Sequence, residues 1–290
     1  MQFRTEIAPL PGLTGAITHS TPVWTIGSCF ADNIGDRMLA QGFDVEVNPL
    51  GTLYNPLSIL NSVVRLVDEK NYTPAEFFEH ERKYRNYDFH SLFARSTPDD
   101  SARFINERLD ALRQALPSLD TVILTFGSAR CFRLKATGQP VANCHKQHPD
   151  LFELTDLSVD TCVEAISETI SLLRRVAPGL RRVILTVSPI RHKAYGLHTD
   201  RLSKSTLLLA CDKVIATAPD ATLYFPSYEI MMDDLRDYRF YAADMVHPSE
   251  VAVDYIYDIF SRTFYNEATM RQAAANLKTL KRSLHRPSGN

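Results

Sequence analysis

Five short β-branched runs stop at turn residues, VWTI (23–26), FDVEV (43–47), TVILTF (121–126), RRVILTV (181–187) and ATLYF (221–225), and amphipathic segments lie between them. A strand followed by a helix before the next strand pairs in parallel with its neighbours, since only a long crossover returns the chain in the same direction. The alternation predicts an α/β fold with a parallel sheet covered by helices. Phe30, Ile34 and Met38 repeat every four residues after the first run, which lines one helix face against that sheet. Thr97 before Pro98, Asp99 and Asp100 reads as an N-cap, a first-position proline and two acids that suit the positive end of the helix dipole. Phe104, Leu109, Leu112 and Leu116 then form the inner face. Ser158 caps another predicted helix, with Val163, Ile166, Ile170 and Leu173 inward and Ala-Pro-Gly at 177–179 as its stop. The segment 52–96, rich in Tyr, Phe and charge, fits the alternation poorly and is expected to be an insertion over a sheet edge or a site rim. No internal repeat or low-complexity tract divides the chain, so residues 1–290 are read as one domain ending in a short frayed tail, RPSGN.

Composition excludes several classes. With 32 basic and 34 acidic side chains the net charge is −2, which argues against a nucleic-acid partner, for which a strongly basic face is expected. The 290 residues suffice for a core without staples, since a chain of this size buries roughly 75% of its unfolded surface. Five cysteines, at 29, 131, 144, 162 and 211, are odd in number and hold no C-x-x-C pair, so neither a disulfide framework nor a zinc knuckle is expected. Cys144, His145 and His148 lack the usual ligand spacing, and no metal is expected there. No apolar run approaches 18 residues and no leader pattern opens the chain, which predicts a cytoplasmic protein without a membrane partner.

Two segments could carry chemistry. Gly27-Ser28-Cys29-Phe30 joins the first strand to the first helix, where open α/β sheets bind ligands. Unpaired N–H groups at a helix start should acidify a thiol, making Cys29 a candidate nucleophile; a packed cysteine under the turn is the plain alternative. Far along the chain, Asp244-Met245-Val246-His247-Pro248-Ser249 precedes a helix with Val251, Tyr255 and Ile259. An acid three residues before a histidine can fold back onto Nδ1 and leave Nε2 as a base. Pro248 suits a first helical position, which would set His247 at a helix start, its pKa pulled down by the dipole and up by Asp244. A surface histidine beside a turn-capping acid is the alternative.

GSCFADNIG after the first strand, together with ANCHK (142–146), TVSPIRH (186–192), FPSYEI (225–230) and DMVHPS (244–249), resembles the GSCFA family, a divergent branch of the SGNH or GDSL-like hydrolases. The resemblance implies a flavodoxin-like three-layer α/β/α sandwich and ester or acyl-transfer chemistry. It puts Cys29 in the register of the nucleophilic serine; a one-residue shift would give that role to Ser28. It assigns His247 as base and Asp244 as its orienter, and matches Gly51 to a backbone oxyanion donor. Relatives carry an oxyanion asparagine two residues after the glycine that ends the third strand, whereas here Ala129 follows Gly127 and Ser128. Asn143 is the like-for-like candidate replacement, with His145, Ser128 and Arg130 as others. Arg130, His145, Arg191, His192, Asp88 and His90 are candidate substrate-binding residues, and Lys204 matches the family pattern without an assignable role. No cofactor is expected. The expected partner is a small-molecule or carbohydrate ester, for hydrolysis or acyl transfer. The competing class is a retained scaffold that binds a carbohydrate or peptide without turnover. A thiol redox protein fits worst, because no resolving cysteine lies nearby in sequence.

Overall fold

The structure is a computed structural model and describes residues 5–218 and 222–284. From the N-terminus come β1 (Val23–Gly27), α1 (Cys29–Ala40), β2 (Val45–Val47), α2 (Pro56–Val67), the hairpin β3 (Phe78–His80) and β4 (Lys83–Arg85), and α3 (Pro98–Ala115). There follow β5 (Thr121–Phe126), β6 (Arg130–Leu134), β7 (Pro140–Val141), β8 (Phe152–Asp156), α4 (Val159–Val176), β9 (Arg182–Val187) and α5 (Leu197–Thr217). β10 (Thr222–Tyr224), a single turn α6 (Ser227–Glu229) running into a π-helical turn (Ile230–Leu235), α7 (Glu250–Phe264) and α8 (Glu267–Leu284) complete the described chain.

The five predicted strand runs pair in parallel in the order β10-β9-β5-β1-β2. Their side chains alternate between two cores. Trp24, Ile26, Val122, Leu124, Val183 and Leu185 pack with α2, α3, α4 and α5 on one face, while Val23, Ile123 and Ile184 pack with α1 and α7 on the other. Both faces are buried at β1, β5 and β9, as a parallel sheet demands, and this is why those runs are almost continuously apolar, whereas the edge strand β2 alternates, with Glu46 half-exposed and paired with Arg108. The predicted caps form: Thr97 accepts from the Asp100 N–H at 3.1 Å and Ser158 from Thr161 at 3.0 Å.

The segment 52–96 is only partly an excursion. Ile59, Val63 and Leu66 of α2 are fully buried against the sheet, so its first third belongs to the helical layer. The hairpin and a 3₁₀ turn at Ser91–Phe93 form the rim instead. A separate antiparallel sheet, β7-β6-β8, stands beyond the end of β5. The RPSGN tail lies outside the described residues.

β1 sits between β2 and β5, so the chain leaves it first towards one sheet edge and then towards the other. The carboxyl ends of β1 and β5 therefore flank a crevice, the switch point at which such sheets receive ligands.

Candidate active site

The end of β1 is built around Gly27. Its φ is +144° and a Cβ there would lie 2.0 Å from the Thr125 carbonyl oxygen, so only glycine lets β1 and β5 stay paired to this point. Asn48, itself at φ +40°, accepts from the Gly27 N–H at 2.8 Å and donates to Asp32 at 2.6 Å. The Ser28 N–H donates to Thr125 O at 3.0 Å, which ties the turn across the crevice. Ser28 is only 2% exposed and caps α1, its Oγ accepting from Phe30 N–H at 3.4 Å. Cys29 is the first residue of α1 and is partly exposed.

The expected acidification of Cys29 does not occur. Burial pushes the thiol above its ordinary pKa and the Asp32 carboxylate pushes the same way, while the backbone N–H of Cys29 and the Lys204 ammonium oppose them and lose. Sequence position supplies the helix start but not the depth of the site or the acid one turn later.

The other wall carries Asp244 and His247. Asp244 Oδ1 accepts from the N–H groups of Val246 at 2.8 Å and His247 at 3.0 Å, and Oδ2 accepts from His247 Nδ1 at 2.6 Å. A carboxylate can only accept, so Nδ1 carries a proton, and in the neutral imidazole it is Nε2 that keeps its lone pair. These three bonds, the imidazole's first, hold the Asp244 carboxyl well below the usual carboxylate range. Both side chains are 49% exposed. α7 starts at Glu250 under a Ser249 cap, so His247 and Pro248 precede the helix instead of opening it. His247 is fixed instead by a bridge between Tyr241 and Pro248 and by the Ala242 N–H donating to its carbonyl at 2.8 Å.

Ser28, Cys29 and His247 line one cleft of ≈ 510 Å³, as do Asn143, Arg130, Arg191, His192 and His90. Arg130 donates to Asp156 at 2.5 Å and lies 4.3 Å from the Tyr195 ring centre, while His192 stacks on Tyr195 at 4.7 Å. Burial lowers the His192 pKa. Arg191 lies 4.2 Å from the Tyr241 ring centre and has no carboxylate partner among the described residues. Asn143 accepts from the His145 N–H at 2.8 Å, the Asx turn that such a loop residue commonly makes.

Four expected residues do not line this cleft: Asp244, which meets it only through His247, and Gly51, His145 and Asp88. The Gly51 N–H donates to the Asn48 carbonyl at 2.8 Å, which engages the group that an oxyanion would need. His145 is 3% exposed; its Nε2–H donates to Asn86 O at 2.8 Å and its Nδ1 accepts from Ser91 Oγ at 3.1 Å, so the ring pins the rim to the 143–148 loop. Asp88 is buried under the rim, accepting from Tyr72 OH at 2.8 Å and Asn61 at 2.9 Å, and burial raises its pKa. Ala129, in place of an asparagine, is 2% exposed with its N–H donated to Ser203 Oγ at 2.7 Å.

Lys204 and Asn55 are the residues that sequence reasoning undervalued. Lys204 is 1% exposed and donates to the carbonyls of Gly127 at 2.7 Å and Ser188 at 2.8 Å, clamping the chain just beyond β5 and β9 beneath the cleft. Burial pushes its ammonium down to about 8, against the pull of Asp200 and Cys29. Asn55 caps α2 and lines the cleft beside Tyr54. Its signal was legible: Asn55 directly before PLSILNSVVRLV is a cap followed by a first-position proline, Pro56. Among the described residues no group of three or more His, Cys, Asp or Glu side chains is arranged to hold a metal ion.

The chain is similar in outline to several solved esterases. A carbohydrate esterase family 3 structure from Talaromyces cellulolyticus aligns at 12% identity and TM-score 0.36, over 90% of this chain and 99% of that one. A family 2 carbohydrate esterase with a carbohydrate binding domain, from Corynascus thermopiles (Myceliophthora fergusii), aligns at 13% identity and TM-score 0.42, over 94% and 69%. A variant of the acetyl-xylooligosaccharide esterase Axe2 from Geobacillus Stearmophilus aligns at 13% identity and TM-score 0.38, over 86% and 95%. No curated protein is similar enough to count as a match. Residues 22–260 match the GSCFA family, a span running from the sheet's first strand through α7, and the chain belongs to that family.

Proposed function

We propose that this protein cleaves a carboxylic ester through Cys29, with His247 as general base and then general acid and Asp244 as its orienter. The observation that carries the reading is that Cys29 and a histidine whose Nε2 is left free by Asp244 line the same cleft. Ser28 is read as the cap of α1, because its hydroxyl is buried and accepts a helix N–H.

Burial keeps the Cys29 thiol neutral near pH 7, so no thiolate waits in the resting site. The proton passes from Sγ to His247 Nε2 as Sγ bonds to the ester carbonyl carbon, and the carbonyl oxygen takes up negative charge. The N–H at the start of α1 faces that charge with the positive end of the helix dipole. Collapse of the intermediate breaks the bond to the alkoxy oxygen, which leaves as the alcohol with the proton from His247. Water, deprotonated by His247, then releases the acid from Sγ; an acceptor alcohol in its place gives acyl transfer. The reading calls on no cofactor.

A carbohydrate ester is the proposed substrate class. Tyr54, 45% exposed on the cleft wall, offers an aromatic face for a sugar ring, and Arg191, stacked on Tyr241 without a carboxylate partner, offers a charged donor for its polar or anionic groups. A binding scaffold without turnover is the second reading, favoured by Ala129 and by the engaged N–H of Gly51. Among the described residues no helix is long and apolar enough to cross a membrane.

Turnover of p-nitrophenyl acetate and of an O-acetylated xylo-oligosaccharide by the purified protein separates the two. The esterase reading expects hydrolysis that falls at least about 10³-fold in Cys29→Ala and in His247→Ala. Ligand binding by wild-type protein with no hydrolysis of either ester would establish the scaffold.

A further inference from the structure

We propose that Asn55 supplies the side-chain donor to the oxyanion that Ala129 cannot, an assignment that rests on the esterase reading above. Asn55 is 5% exposed and lines the cleft that holds Cys29 and His247. Its Oδ1 accepts from the Ser58 N–H at 2.9 Å as the cap of α2, which fixes the amide plane. Its Nδ2 makes no hydrogen bond among the described residues. Nδ2 is not sealed from solvent, unlike the partnerless Ser58 Oγ and Ser62 Oγ on the same helix, so its N–H groups stay open to water or a ligand.

Asn55 is also in register with the nucleophile. The Leu53 N–H donates to the Gly27 carbonyl at 2.8 Å, and the Tyr54 carbonyl accepts from the N–H groups of Gly127 at 2.8 Å and Ser128 at 2.9 Å. The residues on its N-terminal side are thus bonded to the ends of β1 and β5, the same strand ends that hold Ser28 and Cys29, while Pro56 fixes the first turn of α2 on the other. Donors fixed before the reaction need no reorganisation as charge develops, which is what an oxyanion site requires. Asn143 also lines the cleft, but it is less buried and stands in a loop where His145 and Lys146 adopt φ of +52° and +58°, tied to the rim rather than to the strand ends.

Asn55→Ser keeps a capping oxygen and removes the amide donor. With p-nitrophenyl acetate, kcat is expected to fall about 10²–10³-fold in Asn55→Ser with KM nearly unchanged. Thermal unfolding and the rate of Cys29 alkylation by iodoacetamide should stay at wild-type values, because alkylation at saturated carbon forms no oxyanion. A comparable fall in Asn143→Ser, with Asn55→Ser at the wild-type kcat, hands the donor role to Asn143 and overturns the assignment. Turnover that dies in Cys29→Ala but survives in Asn55→Ser overturns the Asn55 assignment alone, and a parallel loss of alkylation makes Asn55 a positioning residue for the thiol instead. A wild-type protein with no turnover overturns the esterase reading and the assignment together.

Discussion

The two walls of the cleft are built on opposite principles. The wall at the end of β1 is buried and cross-tied: Gly27, Ser28, Asn48 and Leu53 exchange hydrogen bonds among β1, β5 and the loop after β2, with Lys204 clamping the carbonyls beneath. The wall carrying Asp244 and His247 is half-exposed, and the bonds that set the acid and the imidazole span two or three residues. Its loop is tied to the segment after β9 by Lys193 Nζ donating to Asp244 O at 2.9 Å and the Arg191 N–H donating to Val246 O at 3.1 Å. Burial therefore governs the titration of the nucleophile, whereas local hydrogen bonding governs that of the acid. The buried wall should respond to substitution through stability as well as rate, and the exposed wall through rate alone.

Gly27→Ala should break this asymmetry most severely. A Cβ set 2.0 Å from the Thr125 oxygen, on a residue at φ +144°, forces the central strands apart. Urea unfolding should register a loss of more than about 3 kcal/mol, or no folded protein. A stable Gly27→Ala would mean that the crevice is not held by the β1–β5 junction.

On the exposed wall, Asp244→Asn keeps a hydrogen-bonding oxygen for the loop and removes the charge that orients and supports the imidazole. Its kcat should fall about 10²-fold, with the urea midpoint close to that of the wild type. The loss should be smaller than for a buried triad acid, since water reaches this pair. A stability loss comparable to that of Gly27→Ala would erase the distinction between the walls.

Lys204 sharpens the comparison through pH. Its folded-state pKa of about 8 lies below the ordinary 10.5, so between those values the unfolded chain binds the proton that the folded chain has released. Stability from this group is fully present above 10.5 and is lost as pH falls through about 8. Measured against Lys204→Met, the wild type should gain on the order of 3 kcal/mol from pH 8 to 10.5 in urea unfolding, and a flat difference would show the lysine to be less buried than it is here. The smallest effect is expected for Ser28→Ala, a cap loss of about 1 kcal/mol with kcat within about threefold. A collapse of turnover in that variant would move the nucleophile from Cys29 to Ser28.

Much of the fold was legible because a parallel sheet buried on both faces leaves almost uninterrupted apolar runs, and the order of runs and helical faces carries the topology. α2 was harder to read, since Ile59, Val63 and Leu66 stand in a stretch whose rim-forming neighbours are aromatic and charged. At the site, residues whose role depends on neighbours in sequence were the most legible: Asp244 folds back on His247 as a three-residue spacing allows. Residues whose state depends on distant packing were not. Cys29 is raised rather than lowered because burial and Asp32 outweigh the helix start, and His145 is consumed by partners at Asn86 and Ser91, far from it in sequence. Asn55 joins both kinds: its cap was readable, its place in the cleft was not.

Residue-resolved acylation tests the central claim most directly. Brief exposure to p-nitrophenyl acetate at pH 7, followed by peptide mapping, compares Cys29 with Cys144, the other partly exposed thiol on the same cleft. The account predicts acetyl on Cys29 at a rate at least about 10²-fold above Cys144, with that advantage abolished in His247→Ala. Equal labelling of the two cysteines, or a Cys29 advantage indifferent to His247, would contradict it.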